Sequence, residues 1–283
     1  MCSTSEQSIP PGVRWFPLQY GRVCAIMAKK VEHRGKHTVP RFFISGGSSV
    51  AGGVAFIAGE DAAHARVLRL HIGDRVIVCD GNGQDHHCSV TRISPDMVEA
   101  EVLETRPCPA EPSVRVTVMA GLPKGDKAEY IIQKCTECGA SEILFFPSHR
   151  CVMKLDRGAG EKKLSRWQRI VEEAAKQSGR GVIPRVGLLG GLDEAFNTAA
   201  ATDLPLFLYE TGERETLKEA VESAGAIRTA AIITGPEGGF EGFEAELAAM
   251  MKLRVCSMGP RIFRCETAPV AALSALMYAT DNL

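Results

Sequence analysis

The sequence predicts an α/β protein in which a small β-barrel precedes a larger domain built on a parallel sheet. Short strand patterns separated by turn residues fill the region 41–106, whereas strands and helices alternate over 113–283. Three prolines, Pro107, Pro109 and Pro112, stiffen the segment between the two regions and mark the expected domain boundary.

The first region contains several strand patterns and one helix. The strands are expected at 54–58, 75–79, 88–93 and 97–103, and the helix at 64–70. The sequence Asp80-Gly81-Asn82-Gly83, which follows the second strand, is a strong turn signal. Strands at this spacing are typical of a small barrel.

The second region alternates apolar strands with helices. Strands are expected at 114–120, 142–146, 204–208, 229–233 and 254–258, and helices at 124–138, 162–178, 243–251 and 268–278. Gly139 and Gly179 directly follow two of these helices, where glycine commonly ends a helix. This alternation predicts a parallel sheet covered by helices.

The first 40 residues differ from the rest in composition. They show weak periodicity, the adjacent prolines Pro10 and Pro11, and a loose basic run from Lys29 to Lys36. This pattern predicts a disordered N-terminal extension over 1–40, with a transit peptide as the alternative. Met27 is an alternative start of the natural protein.

The overall composition is that of a globular protein whose core needs neither disulfides nor a metal. Hydrophobic residues make up 45% and charged residues 24%, and the formal net charge is −1. The charge is uneven, because 121–186 holds 13 Lys and Arg against 8 Asp and Glu, while 187–283 holds 7 against 14. A basic middle is compatible with an RNA footprint and also with an ordinary solvated face.

The ten cysteines are scattered, and the sequence shows no secretory signal and no apolar span. We therefore expect a cytoplasmic protein with reduced thiols and no membrane contact. Cys135 and Cys138 form a lone C-x-x-C on a predicted helix, and His149 and Cys151 are poorly spaced to complete a zinc site. We expect both thiols to pack as small apolar groups, with no metal.

Two loops that follow predicted strands are candidates for the site. The first loop, Thr234–Phe240, contains three glycines and a proline, which allow a sharp turn and expose backbone amides. The second loop, Met258–Pro269, brings Arg261, Arg264 and Glu266 close together, and its Thr267 is placed to cap the final helix. Because ligands bind beyond the carboxyl ends of parallel strands, the loops predict one pocket, although each alone is compatible with an ordinary strand–helix turn.

The common nucleotide-binding and hydrolase motifs are absent from the sequence. It has no G-x-x-x-x-G-K-[ST], no G-x-G-x-x-G and no G-x-S-x-G. These absences argue against a Walker-type NTPase, a dinucleotide-binding enzyme and a serine hydrolase. A glycine loop without a phosphate-binding lysine suits a ligand without phosphate, such as S-adenosylmethionine.

Both loops resemble the signature loops of the RsmE-type 16S rRNA uridine-N3 methyltransferases, which belong to the SPOUT class. The similar stretches extend from about Arg41 to the end of the chain and follow the order of the family. They are Gly235–Phe240, Gly259–Ala268, His64–Arg69, Lys124–Lys127, Gln133–Lys134, Arg150–Val152, Lys154 and Trp167–Gly179. Cys265 departs from the pattern, because family members usually have threonine there, and a thiol is the weaker hydrogen-bonding group.

The resemblance implies a PUA-like barrel followed by a SPOUT methyltransferase domain with a C-terminal trefoil knot. It also implies a homodimer that binds S-adenosylmethionine in the knot and methylates uracil N3 of one uridine in 16S ribosomal RNA of the small subunit. The segment Leu206–Glu210 is implied as the third wall of the pocket, beside the two loops. The residues implied for the cofactor are Leu208, Tyr209, Thr234, Gly235, Pro236, Glu237, Gly238, Gly239, Met258, Gly259, Ile262, Phe263, Thr267 and Ala268.

Methyl transfer to N3 requires that the uracil lose its N3 proton, so the enzyme has to favour the anion and fix its position. Arg261 and Arg264 are candidates for stabilising the anion, and Glu266 for orienting an arginine, accepting the proton or capping structure. Cations expected to contact RNA phosphates, each otherwise an ordinary surface charge, are Arg66, Arg69, Lys124, Lys127, Arg150, Lys154 and Lys176. The competing interpretations are a non-catalytic RNA-binding protein and a SPOUT methyltransferase that acts on transfer RNA.

Overall fold

The fold was analysed in a computed structural model, which describes residues 39–44, 48–151, 157–212 and 214–283. Apart from its last two residues, the extension expected over 1–40 lies outside the described residues. Lys154, one of the cations expected to contact RNA, lies outside them as well.

The described residues up to Pro107 form a six-stranded sheet and a short helix. The strands are β1 (Arg41–Phe43), β2 (Ser49–Ala51), β3 (Val54–Ala58), β4 (Arg75–Cys79), β5 (Gln84–Ile93) and β6 (Met97–Pro107), and helix α1 is Gly59–Val67. The strand order is β1-β4-β5-β6-β3-β2, in which β1 and β4 are parallel and the other neighbours antiparallel. Alternating residues such as Ile57, Val78 and Ala100 are fully buried on one face, where Ala65 of α1 joins them.

The chain from Arg115 onward forms a second sheet of seven strands, all parallel. The strands are β7 (Arg115–Gly121), β8 (Glu142–Phe146), β9 (Arg185–Leu188), β10 (Leu204–Leu208), β11 (Glu215–Thr216), β12 (Thr229–Thr234) and β13 (Arg254–Ser257). The helices are α2 (Lys127–Glu137), α3 (Arg157–Ser178), α4 (Leu192–Ala200), α5 (Leu217–Ser223), α6 (Gly242–Met250) and α7 (Ala268–Ala279). The strand order is β11-β13-β10-β12-β7-β8-β9.

Both faces of the parallel sheet are buried, which explains why its strands are continuous apolar runs. Val118, Ile143 and Ile232 point into one cluster, which α2, α3 and α7 cover. The residues that follow Val118 and Ile232, Met119 and Ile233, point into the opposite cluster, which α4 and α6 cover. Full burial of each such side chain contributes about 1.5–3 kcal/mol, so these alternating positions dominate the stability of the sheet.

A buried charge network joins the two sheets. The side chain of Arg180, which follows α3 and is 3% exposed, donates to both carboxylate oxygens of Glu111 at 2.8 and 2.9 Å. Arg41 of β1 forms an ion pair with Asp85 of β5 and donates to the carbonyl oxygen of Arg180 at 3.2 Å. Since Glu111 lies in the connecting segment, the network fixes the connection to both sheets.

Each strand and helix expected from the sequence has a counterpart, although bounds differ. The expectation for α1 was wrong by several residues, because the helix begins at Gly59 rather than at His64. Gly139 and Gly179 have φ of 95° and 72°, which confirms that they end α2 and α3 in the left-handed conformation. Sequence reasoning missed the short strands β1, β2, β9 and β11 and the helices α4 and α5.

The expected packing of the C-x-x-C pair agrees with the structure. Cys135 is fully buried in the cluster beneath α2, and burial raises the pKa of its thiol. Cys138 is half-buried against the same cluster and accepts a hydrogen bond from Ser274 at 3.4 Å. Both thiols therefore act as packing groups of the helix.

Candidate functional site

The candidate site lies where three neighbouring parallel strands end. The order β13-β10-β12 places the carboxyl ends of these strands side by side, so the loops that follow them surround one cavity. The two glycine loops follow β12 and β13, which are not adjacent in the sheet because β10 lies between them. The residues after β10 form the third wall of the pocket.

The cavity has a volume of about 360 Å³. It is lined by Lys127, Leu208, Tyr209, Glu210, Thr234, Gly235, Pro236, Glu237, Gly239, Met258, Gly259, Arg261, Ile262, Phe263, Arg264, Cys265 and Ala268. Of the residues expected at a cofactor, the structure brings all but Gly238 and Thr267 to this lining. Sequence reasoning did not assign Lys127 or Cys265 to the cofactor, whereas Glu210 ends the segment that the resemblance implies as a wall of the pocket.

The first loop is packed so closely that small residues are required beneath it. A Cβ atom on Gly121, at the end of β7, would lie 2.5 Å from both the ring and the backbone nitrogen of Pro236. A Cβ on Gly235 would lie 3.2 Å from the backbone of Gly239, which itself has φ of 67°. The loop therefore turns back on itself and leaves its backbone accessible from the cavity.

Arg150 braces the outer side of the first loop. Its guanidinium donates to both carboxylate oxygens of Glu241 at 2.6 and 2.7 Å and to the carbonyl oxygen of Gly238 at 2.9 Å. Glu241 also takes part in the capping box that begins α6. The bidentate hydrogen bond to Glu241 raises the pKa of Arg150. An arginine expected to contact RNA thus makes intramolecular contacts that fix the loop.

The second loop presents two arginines to the cavity. The side chains of Arg261 and Arg264 are exposed and make no hydrogen bond or ion pair among the described residues. Ile262, between them, is 83% exposed. The expectation that Thr267 caps α7 was wrong, because its backbone is already helical, with φ of −90° and ψ of −38°, and its side chain makes no capping hydrogen bond. Pro269 does lie in the first turn of α7, as expected.

Cys265 and Glu266 form the inner side of the second loop. The Cys265 thiol donates to Oε2 of Glu266 at 3.2 Å, and burial, followed by this contact, raises its pKa to about 12. The thiol is therefore protonated at neutral pH. Partial burial raises the pKa of Glu266, but hydrogen bonds from its own backbone amide and from Cys265, together with the charge of Lys127, outweigh it and lower the pKa.

Lys127, at the start of α2, projects into the cavity wall. Its Nζ lies 3.2 Å from Oε1 of Glu237, 3.5 Å from Oε2 of Glu266 and 3.7 Å from Sγ of Cys265. The same oxygen of Glu237 accepts a hydrogen bond from the backbone amide of Lys124 at 2.9 Å. The cation beside Glu266 is thus a lysine, whereas sequence reasoning gave Glu266 an arginine to orient.

Two polar groups of the pocket lack partners among the described residues. The hydroxyl of Thr234 at the end of β12 is buried and makes no hydrogen bond. The carboxylate of Glu210 is exposed and unpaired, and its Oε1 would lie 2.9 Å from a Cβ atom placed on Gly239. A buried hydroxyl without a partner costs about 1–3 kcal/mol, so the pocket is suited to a ligand that supplies one.

The remaining cations expected at RNA lie outside the pocket lining. Arg66 and Arg69 are exposed at the end of α1 and just beyond it, and Lys124 is exposed before α2. Lys176 is half-buried near the end of α3. The side chains of these four residues are available to a partner, whereas those of Lys127 and Arg150 are held by carboxylates.

The described residues contain neither a candidate membrane span nor a candidate metal site. Within the described ranges, no helix is long and apolar enough to cross a membrane. No three His, Cys, Asp or Glu side chains in those ranges are grouped as they would be around a metal ion.

Comparison with known proteins gives matches over nearly all of the described chain. Residues 110–277 match the family described as RNA methyltransferase domain, and 57–103 match the RNA methyltransferase PUA domain. Ribosomal RNA small subunit methyltransferase E of Bacillus subtilis is 38% identical over 232 residues, which cover 80% of this chain and 91% of the relative.

Two solved structures with bound cofactor have the same fold. Ribosomal RNA small subunit methyltransferase E from Neisseria gonorrhoeae, bound to S-adenosyl methionine, has a TM-score of 0.69 and 28% identity, and the match covers 84% of this chain and 97% of that chain. A Legionella pneumophila chain in complex with the same cofactor has a TM-score of 0.70 and 27% identity, and the match covers 85% and 98%.

Proposed function

Since the chain belongs to the RNA methyltransferase family that includes ribosomal RNA small subunit methyltransferase E, we propose that it methylates a uridine of 16S ribosomal RNA. The methyl donor is S-adenosylmethionine and the acceptor atom is N3 of the uracil. The observation that carries the proposal is the three-walled pocket, in which unpaired arginines of the second loop face a glycine loop with accessible backbone.

The residues of the pocket fit S-adenosylmethionine. A volume of about 360 Å³ is within the range of small-molecule sites. The unpartnered hydroxyl of Thr234 and the close-packed backbone of Gly235 and Gly239 offer hydrogen bonds, while Leu208 and Phe263 offer apolar contact. When bound, the cofactor supplies a methyl group activated by a positively charged sulfur.

The chain's own groups would prepare the uracil for attack. Arg261 and Arg264 are unpaired cations at the cavity, and preorganised cations stabilise negative charge that spreads onto the uracil carbonyls when N3 loses its proton. The carboxylate of Glu266 is a weak base because its pKa is lowered, so its role is to position the second loop rather than to remove the proton.

The RNA would be held by cations on both parts of the chain, of which Lys176 is half-buried and the others are exposed. Four side chains make no hydrogen bond or ion pair among the described residues and can bind phosphates: Arg66, Arg69, Lys124 and Lys176. Phosphate contacts add affinity that does not depend on the RNA sequence. The uridine has to be unpaired or turned out of a helix to reach the cavity. We do not include Lys127 and Arg150 among the cations that bind RNA phosphates, since both form ion pairs with carboxylates.

The proposal extends to the architecture. It includes a PUA-like barrel over 41–106, a SPOUT domain over 113–283 with a trefoil knot around the cofactor, and a homodimer. The match of the PUA family to residues 57–103 supports the first of these. An all-parallel sheet in which β10 separates β12 from β13 supports the second. Activity on the small ribosomal subunit implies a cytoplasmic protein that acts in ribosome biogenesis.

The test is methyl transfer from radiolabelled S-adenosylmethionine to small ribosomal subunits from cells that lack the gene. Label is expected in 3-methyluridine after digestion, and Arg264→Ala is expected to lower the rate by about 100-fold or more. Arg228→Ala is the matched control, because Arg228 is an exposed arginine at the opposite end of β12.

The outcomes separate the competing functions. Label on transfer RNA but not on subunits would retain the methyltransferase and refute the ribosomal target. No transfer to any RNA, together with no cofactor binding by calorimetry, would leave a non-catalytic RNA-binding protein. Equal activity of both arginine variants would remove Arg264 from the reaction.

A further inference from the structure

The two loops of the pocket are bridged by one lysine. Glu237 belongs to the first loop and Glu266 to the second, and both carboxylates lie within 3.5 Å of Nζ of Lys127. Lys127 itself is anchored elsewhere, at the start of α2, whose neighbouring backbone amide at Lys124 also binds Glu237. The start of α2 therefore holds a group from each loop.

This arrangement matters because the two carboxylates share one cation. Without a positive charge between them, two carboxylates near the same point would repel each other and push the loops apart. The lysine side chain is 32% exposed, so solvent partly screens both ion pairs, and the Cys265 thiol lies 3.7 Å from the same Nζ. The spacing of the two loops depends on this contact.

We propose that Lys127 is a positioning residue that holds the two loops at the separation required to bind S-adenosylmethionine, in place of the RNA contact that its sequence suggests. The proposal rests on the proposed function, because it assigns the pocket to that cofactor. A phosphate contact would require Nζ to leave both carboxylates, whereas the exposed Lys124 nearby has no such partners among the described residues.

The electrostatics agree with this assignment. Partial desolvation lowers the pKa of Lys127, but the hydrogen bond to Glu237 and the charges around it outweigh this effect and raise the pKa. Partial burial likewise raises the pKa of Glu237, and the hydrogen bonds from Lys124 and Lys127 outweigh it and lower the pKa. All three charges of the bridge therefore persist at neutral pH, and acid protonates the carboxylates only below their ordinary range.

The experiment measures cofactor binding and RNA binding on the full chain with three variants. Lys127→Met keeps the length of the side chain without its charge, Lys127→Arg restores a cation that can contact both carboxylates, and Lys124→Met removes a neighbouring exposed charge. Calorimetry gives the dissociation constant of S-adenosylmethionine. Filter binding of 16S ribosomal RNA at several salt concentrations gives the number of phosphate contacts.

Lys127→Met is expected to weaken S-adenosylmethionine binding about tenfold, since two partly exposed ion pairs are lost, with little change in the salt dependence of RNA binding. Lys127→Arg is expected to recover most of that affinity. Lys124→Met is expected to leave cofactor binding unchanged and to reduce the salt slope of RNA binding by roughly one. Acidification should partly restore the cofactor binding of Lys127→Met, because protonation of Glu237 or Glu266 removes the repulsion that the missing cation no longer offsets.

Several results would overturn the inference without touching the proposed function. One is unchanged cofactor affinity of Lys127→Met with a reduced salt slope, which would make Lys127 a phosphate contact. Another is equal weakening by Lys124→Met, which would reflect general loss of charge. Glu237→Gln disrupts the same ion pair as Lys127→Met, so the double variant should lose less cofactor affinity than the sum of the two single losses. Additive losses would also refute the inference. If the unchanged protein does not bind S-adenosylmethionine at all, the proposed function fails first.

Discussion

Replacement of Thr234 by valine should make the protein more stable and its cofactor binding weaker. Thr234 ends β12 at the floor of the pocket, where its side chain is 1% exposed and its hydroxyl has no partner among the described residues. Valine has nearly the same shape and suits a strand, so the substitution removes an unsatisfied polar group without opening a cavity. A hydroxyl kept in such a position against stability is expected to serve a ligand.

The expected magnitudes follow from the burial of the hydroxyl. Relief of an unsatisfied buried hydroxyl is worth about 1 kcal/mol, so the free energy of unfolding of Thr234→Val without ligand should rise by about that amount. If the hydroxyl donates to the cofactor, loss of one neutral hydrogen bond of about 0.5–1.5 kcal/mol should weaken S-adenosylmethionine binding by about 2- to 12-fold. The two effects have opposite signs, and general damage to the fold cannot produce that combination.

Urea unfolding without ligand and calorimetric titration with S-adenosylmethionine measure the two quantities. Thr136→Val is the matched control, because Thr136 is equally buried but donates to the carbonyl oxygen of Ile132 at 2.8 Å. It should lose up to about 1 kcal/mol of stability and leave the cofactor affinity unchanged. A Thr234→Val protein that is less stable than the original, or that binds the cofactor equally well, would refute the reasoning.

Three further substitutions test other parts of the structure. Gly121→Ala should lower the free energy of unfolding by about 1–3 kcal/mol and impair cofactor binding, since its Cβ would collide with the proline of the first loop. Gly160→Ala is the control, because Gly160 has ordinary contacts inside α3, and it should be neutral or stabilising in the same urea titrations. Arg180→Met should lower the free energy of unfolding by about 3–5 kcal/mol, because it leaves the carboxylate of Glu111 without its cation in the segment that connects the two sheets. A loss below about 1 kcal/mol would show that water reaches this carboxylate. Hydrogen bonds from two backbone amides at the start of β12 hold the pKa of Asp203 below its ordinary value of 3.8. The ionised carboxylate therefore contributes its full stabilisation above pH 3.8, and this stabilisation is lost as the pH falls through the lowered pKa. Asp203→Asn should therefore make unfolding less dependent on pH in this acid range, and an unchanged acid profile would contradict that assignment.

The regular elements of the fold were accessible from the sequence because their signals are local. Continuous apolar runs predict the buried strands β8 and β10, and both begin and end as expected. The strands that were missed are too short to carry a pattern, and β11 has only two residues. Helix α4 was missed since its first residue follows two glycines, and no side chain caps its start. Its place is fixed by the burial of Phe196 against the sheet rather than by local preference.

The composition of the pocket was predictable, but its geometry was not. Two glycine-rich loops after parallel strands favour a ligand site, and most of the residues expected there do converge on one cavity. The order of the strands depends on which crossover each connection makes, and no local pattern encodes it. For this reason local patterns did not predict that β10 lies between β12 and β13, and only the resemblance implied that the segment ending at Glu210 borders the pocket.

The cations show why charge alone cannot assign a role. Three cations are close to the glycine loop, and no local sequence pattern distinguishes their roles: Lys124, Lys127 and Arg150. In the structure, Lys127 and Arg150 meet carboxylates supplied by segments about a hundred residues away, whereas the side chain of Lys124 has no such partner among the described residues. A lysine that binds a phosphate must first give up its existing ion pairs, and this loss reduces the net free energy of the new contact. A cation already shared by two carboxylates is therefore a poor candidate for an RNA contact. The same reasoning favours Arg261 and Arg264 for the reaction, since both are close to the paired charges of the pocket and neither is paired itself.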